Sequence, residues 1–497
     1  MGADLADPAE PHPGHGVVFP RDADGRRSTT AVGRSVVAAA LRQADRAGAR
    51  AAEQETGWRS NYLVHFRRLV EAGVGSADAA VEIARAGLDA HLGQMVVRSG
   101  SADGEIPLAD WSARDVSSLP EVAEVRGSAE PASELTLPYR GRQLRGDELR
   151  RQIDRWVEAG VVEPTVADAV GAVLGHPEWL RLDGRTVAVL GAGAEMGPLA
   201  PLLRWGVRVA AVDLPRPAIW ARLLKTARRS AGRLLLPSST TDADPESAGA
   251  DLLADAPTIA AWLDLVAEAD QLVVGNYVYA DGATNVRVST AVDVLSTRLV
   301  EQRPDTALAF LATPTDVFAV PGDAVRQSTL AYEQRSRTAK ILGRPLRTLS
   351  GGRLLRRAYV PGSDPRISDS LVAQQGPNYA LAKRLQRWRA TVARRDGLLV
   401  SMNVAPPTRT RSVVKNRALA AAYAGAHRFG VEVFDPSTSN VLMAALLVHD
   451  LHTGGGPSHP EPWQDEAYAA AHGGLWRLPY APRSVLGLAA LIGAARR

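Results

Sequence analysis

Residues Thr186–Gly197 read TVAVLGAGAEMG, a short apolar run that stops at a glycine-rich turn. A buried strand that runs into Gly191, Gly193 and Gly197 and then into a helix leaves a chain few folds to choose from. A side chain in such a turn would hold the backbone away from a pyrophosphate, and the turn's free N–H groups face negative charge. The spacing is G-x-G-x-x-x-G, one residue longer than the usual dinucleotide fingerprint. The next strand, Val207–Val212, ends at Asp213, 22 residues beyond Gly191. A carboxylate at about that distance, roughly 20 residues on, accepts from the adenosine ribose hydroxyls. Asp213 therefore favours NAD over NADP, while Arg216 beside it softens the preference and keeps NADP open. A methyltransferase using S-adenosylmethionine also fits the loop and the acid, so this motif alone leaves two cofactor classes.

The surrounding pattern extends the reading. Strand-like runs at Thr186–Leu190, Val207–Val212, Leu272–Val274 and Ala307–Ala312 alternate with helix-length segments. That alternation predicts an α/β fold, a doubly wound parallel (Rossmann) sheet with helices on both faces. Residues 1–30 are rich in Pro, Gly, Asp and His and read as a disordered leader. Residues 31–175 carry amphipathic helical patterns on either side of a Ser/Gly/Asp/Pro-rich linker at 98–133, and predict a mostly helical accessory domain. The Rossmann domain is expected at 176–445. An apolar helical extension at 446–497 would cover a substrate pocket or form a homo-oligomer contact.

Other chemistries are excluded or lack support. The chain has no cysteine, which removes disulfides, thiolate catalysis and Cys-ligated zinc. Its ten histidines are scattered without metal-ligand spacing, so no metal site is expected. Net charge is only +4, and the densest basic stretch, Arg384–Arg395 (RLQRWRATVARR), reads as a solvated helix face. No nucleic-acid partner is therefore expected. No apolar run is long enough for a membrane span, and the N-terminus lacks a secretory core, so a cytoplasmic location is expected.

Further along, Ala250-Asp251-Leu252, Leu272–Tyr277 (LVVGNY), Tyr379-Ala380-Leu381-Ala382-Lys383 and Leu399–Thr410 (LVSMNVAPPTRT) follow in order. Tyr and Lys four apart share a helix face, and a nearby ammonium favours a phenolate. With the glycine loop, these segments resemble the short-chain dehydrogenase/reductase family over about residues 184–320 and 376–412. The resemblance implies an NAD(P)-dependent oxidoreductase acting on a carbonyl/alcohol small molecule, one that the apolar C-terminus marks as bulky or lipophilic. It implies Tyr379 as general acid–base, Lys383 tuning it, Thr313 orienting the carbonyl, and Asn285 holding a water towards Lys383. Thr315 and Ser370 are alternative hydroxyls. It places Gly191, Gly193, Gly197, Asp213, Asp251, Asn276, Pro406 and Thr410 on the cofactor. Three departures stand out. Glu195 occupies a glycine position of the loop, and Pro407 replaces a glycine after Pro406. Thr313 and Tyr379 are 66 residues apart, which makes 320–375 an insertion, a candidate substrate lid. The degenerate positions also keep open a non-catalytic dinucleotide-binding protein.

Overall fold

The computed structural model of the protein describes residues 14–98, 104–360, 362, 366–455 and 459–495. Its centre is a seven-stranded sheet of β1 (Glu121–Arg126), β2 (Arg185–Leu190), β3 (Arg208–Val212), β4 (Arg233–Ser238), β5 (Gln271–Asn276), β6 (Ala307–Ala312) and β7 (Val400–Val404). The order across the sheet is β7-β6-β5-β2-β3-β4-β1. β2 to β7 pair in parallel, and β1 closes the β4 edge antiparallel. The parallel strands thus wind outwards in both directions from β2, the arrangement of a Rossmann sheet. Their strand order reverses between β2 and β5, which opens a crevice at the carboxyl ends.

The continuous apolar strand sequences follow from burial on both faces. Ala188 and Leu190 of β2 join one core, while Val187 and Val189 join the other. Both cores need helical cover. The connecting helices are α1 (Leu199–Arg204), α2 (Pro217–Arg228), α3 (Leu252–Ala267) and α4 (Gly282–Gln302). They continue with α5 (Arg337–Leu349), α6 (Pro377–Arg395), α7 (Arg417–Gly425), α8 (Pro436–Thr453) and α9 (Pro482–Ala494). α3, α4 and α6 lie in the first core; α1, α2 and α8 lie in the second.

The sheet divides what the sequence presents as one helical accessory region. Helices Thr29–Leu41, Trp58–Gly73 and Ala77–Leu92 extend the first core, through Val36, Phe66 and Leu88. Helices Gly146–Glu158 and Pro164–Gly175 belong to the second, through Ile153 and Val170. The stretch expected as a linker supplies β1, because Ala123 and Val125 are buried against β4. Residues 1–13 of the expected leader lie outside the described residues. The rest of it is ordered: Gly16–Val18 pairs antiparallel with Val96–Arg98, and Val17 is fully buried. Arg287 fastens it, donating from Nε to the Val17 carbonyl at 2.6 Å and from Nη2 to the His15 carbonyl at 2.8 Å. Three apolar residues in a row, too short a run to read as an element, found a partner strand and a core.

The basic stretch Arg384–Arg395 also departs from expectation, since it lies in α6, which packs against α4, the helix Ala77–Leu92 and strands β6 and β7. Arg387 donates to Asp316 at 2.7 Å and to both oxygens of Glu466 at 2.6 Å. Arg384 reaches the other Asp316 oxygen at 3.1 Å, and Arg389 grips Asp293 with two bonds of 2.7 Å. These are paired interior charges, and the acids that pair them are distant in sequence.

Candidate functional site

A cleft of about 1180 Å³ runs along the carboxyl ends of the parallel strands. Ten of the twelve cofactor and catalytic residues expected from sequence line it: Gly191, Gly193, Asp213, Asp251, Asn276, Thr313, Tyr379, Lys383, Pro406 and Thr410. They come from the ends of five strands, the N-cap of α3 and the first two turns of α6, which is what winding outwards from β2 achieves.

At the floor, Gly191 has φ +79°, and a Cβ there would stand 2.9 Å from the Val278 Cα. No side chain fits, so backbone forms the cleft wall at that point. The Gly193 N–H donates to Asp213 Oδ2 at 2.7 Å and the Leu214 N–H to Oδ1 at 2.8 Å. Burial raises the Asp213 carboxyl, with these two N–H groups and the Arg222 and Arg216 guanidiniums opposing it. Asp213 thus also shapes the loop, in addition to facing the cleft. Asp251 is the N-cap of α3, accepting from the Leu253 N–H at 2.9 Å.

Gly197 is not on the cleft wall. It is buried behind the loop, its N–H closing a turn on the Ala194 carbonyl at 3.2 Å. The extra residue of the loop accounts for this: α1 begins only at Leu199, past Gly197. Glu195 spans the cleft instead. Its carboxylate accepts from the Arg411 backbone N–H at 2.6 Å and from Arg411 Nε at 2.8 Å, while its carbonyl accepts from Asn440 Nδ2 at 2.7 Å. The residue that breaks the family pattern therefore ties the glycine loop to the segment after β7. Its mismatch was the only sign of this in the sequence.

The end of the cleft that holds Thr313, Tyr379 and Lys383 lies where β6, β7 and α6 meet. Tyr379, in the first turn of α6, faces the Thr313 hydroxyl. Thr313 Oγ1 is 3.0 Å from Thr315 Oγ1, and Gln375 Nε2 donates to Thr315 Oγ1 at 2.7 Å. Ser370 also lines the cleft, with its buried hydroxyl unpartnered among the described residues. Lys383, one turn after Tyr379, donates to the Leu311 carbonyl at 3.2 Å and to Gln386 Oε1 at 3.0 Å. Gln386 Nε2 passes the chain to Asn276 Oδ1 at 3.3 Å. Gln386 was missed in the sequence, although it lies three residues from Lys383 on the same helix face.

Two expectations are corrected here. Burial pushes the Tyr379 phenol up, outweighing the opposing influence of nearby Thr313, so the phenol is not lowered by Lys383. The ammonium is turned towards Leu311 and Gln386, and burial brings Lys383 itself down to about 8. Asn285 is not in the cleft: its Oδ1 accepts from the Ala280 N–H at 3.2 Å, and its Nδ2 is buried without a partner among the described residues. No hydrogen bond joins it to Lys383.

Beyond Tyr379 the cleft turns apolar. Leu419 and Tyr423 of α7, Phe429, Leu478, and Val485 and Leu486 of α9 line this arm. α7 and α9 cross in backbone contact, because a Cβ on Gly425 would meet the Ala489 carbonyl at 2.0 Å and one on Gly493 the Ala421 carbonyl at 1.9 Å.

No protein-family model matches the chain, and no curated protein sequence matches it. Solved structures do. An A1-type ketoreductase matches at 15% identity and TM-score 0.32, over 54% of this chain and 47% of that one. A 3-oxoacyl-acyl-carrier-protein reductase from Brucella melitensis, in complex with NAD, matches at 13% identity and TM-score 0.31, over 56% and 97%. An oxidoreductase of the short-chain dehydrogenase/reductase family from Burkholderia thailandensis matches at 15% and 0.30, over 53% and 85%. The match thus spans about half the length of the ketoreductase. At such scores nothing about this chain's chemistry follows from the overlay.

Proposed function

We propose that the protein is an NAD(P)-dependent oxidoreductase that moves a hydride between a nicotinamide cofactor and a carbonyl/alcohol pair. The observation that carries this reading is the meeting of Thr313, Tyr379 and Lys383 in the same cleft as the Gly191–Asp213 loop. The floor at Gly191, where no side chain fits, suits a group that needs close backbone approach.

In this reading the side-chain-free turn at Gly191 and Gly193 lets the phosphates approach the backbone, and Asp213 and Asp251 hold the adenosine end. Asn276, Lys383, Pro406 and Thr410 hold the nicotinamide end. When bound, the cofactor supplies or accepts the hydride. Thr313 donates to the substrate carbonyl and fixes its direction. Tyr379 gives the proton that completes the alcohol, or takes it in the reverse direction. With its phenol held protonated by burial, Tyr379 is set to act as the acid in the reducing direction. Lys383, eased down to about 8, reprotonates readily and links to Asn276 through Gln386.

The test is Tyr379→Phe. Turnover of a carbonyl substrate should fall by about two to four orders of magnitude, the ordinary worth of a positioned proton donor, with cofactor affinity unchanged by isothermal titration. Full turnover in the variant would remove Tyr379 from the chemistry. One observation favours a second reading, a dinucleotide-binding protein without turnover: the Glu195–Arg411 bridge crosses the cleft. Binding of S-adenosylmethionine in place of nicotinamide cofactors would overturn both readings.

A further inference from the structure

The insertion carries a second, unrelated feature. Residues 334–363 hold eight Arg and Lys and no Asp or Glu, in a chain whose net charge is +4, which leaves the other residues at net −4. Within it, α5 is exposed on most of its circumference. Only Ala339 and Gly343 are half-buried among the side chains of α5 that the structure describes; the other described side chains of the helix are exposed. At 100° per residue, Ile341, Pro345, Leu346 and Leu349 fall on one arc and Arg337, Lys340, Arg344 and Arg347 on another. Both arcs face outwards. Ile341 is 67% exposed and Leu349 87% exposed, and Leu330 on the preceding helix is 51% exposed.

Three cations of the segment are engaged. Arg335 lies over the Tyr332 ring, Arg347 donates to the Tyr332 hydroxyl at 2.9 Å, and Arg357 pairs with Glu333 at 2.9 Å. The side chains of Arg337, Lys340, Arg344, Arg353 and Arg356 have no hydrogen-bond or ion-pair partner among the described residues. The same segment anchors beside the apolar arm of the cleft: Leu355 and Tyr332 pack with Tyr480 and Val485, and Val485 lines that arm.

We infer that α5 and its flanking cations dock this protein on an anionic lipid surface. A bilayer surface offers an apolar layer for Ile341, Leu346 and Leu349 and anionic headgroups for the five unpaired cations, which no neutral or purely polar partner matches at once. The helix lies on the membrane and does not cross it; no helix among the described residues is long and apolar enough to span one. Docking in this way sets the apolar arm of the cleft beside the bilayer, on the side where a lipophilic molecule would leave it.

The test is flotation of the full-length protein with vesicles of phosphatidylcholine alone and with vesicles that also contain phosphatidylglycerol. The protein should bind the mixed vesicles, ignore the neutral ones, and come off as salt is raised. The triple variant Arg337→Gln/Lys340→Gln/Arg344→Gln should bind about a hundredfold more weakly, roughly fivefold per cation removed. Leu349→Ser should also weaken binding, with thermal unfolding unchanged in both variants. Wild-type protein that ignores the mixed vesicles, or a triple variant that binds undiminished, would overturn the inference. So would a wild-type dimer, free of vesicles, that Leu349→Ser dissociates, since the face would then belong to a second copy. Oligonucleotide binding that Leu349→Ser leaves untouched, without vesicle binding, would likewise assign the cations to nucleic acid. None of these readouts involves cofactor, so the docking can fail or succeed independently of the hydride-transfer reading.

Discussion

Two arginine-rich stretches of this chain have met opposite fates. In 384–395 every arginine has a partner, and Arg384 and Arg387 are buried against Asp316. In 334–363 five cations have no side-chain partner among the described residues and α5 stays on the surface. The residue types are the same; the supply of acids differs. Asp316, Asp293 and Glu466 come from segments 70 to 100 residues away, brought in by the sheet and its crossovers. Among the described residues, no acid pairs with a cation of α5. A buried guanidinium is tolerated only when its charge and donors are met, and an unmet one stays in water.

That contrast can be broken by experiment. The largest effect should come from Asp316→Ala, which strands Arg384 in the interior and leaves Arg387 to Glu466 alone. Breaking a buried pair costs about 3 to 5 kcal/mol, so urea unfolding should show a loss of that order, and a loss near zero would mean these charges are hydrated after all. A comparable buried set stands at Glu163, which accepts from Arg477 Nη2 at 2.6 Å and contacts His472 at 2.8 Å. Burial raises its carboxyl, but His472 and Arg477 outweigh that and bring it to about 2. Because the folded value lies below the unfolded one, the stabilisation is full above about pH 4.5 and fades as pH falls towards 2. Over that window the wild type should lose up to about 3 kcal/mol that Glu163→Gln, already lacking it, does not lose. Stability measured against pH for the two proteins decides this. The smallest effect is expected on the exposed side, where Arg344→Ala and Arg353→Ala should each change unfolding free energy by less than about 0.5 kcal/mol. A larger loss would show that α5 depends on its cations for folding.

The cleft was legible to an uneven degree. The loop at Gly191 and Gly193, the acid at Asp213 and the pair Tyr379–Lys383 could be read because each is a local pattern with a local physical cause. Gly197 and Asn285 could not be placed, since one added loop residue moved the first off the wall and the backbone just before α4 engaged the second. Gln386 and the Glu195–Arg411 bridge were hidden because they depend on which helix and which loop face each other across the sheet. Thr313 and Tyr379, which 66 residues separate in sequence, line the same cleft.

By itself the sequence determined the strand–turn–helix unit, the parallel sheet and the order in which the cleft residues occur, because strand burial, turn sterics and helix periodicity act over a few residues. Only the tertiary structure decided which charges are interior, where the helices at either end of the chain lie, and which way Lys383 points. Those outcomes depend on partners delivered from far along the chain, and a charge or a short apolar run carries no mark of the partner it will meet.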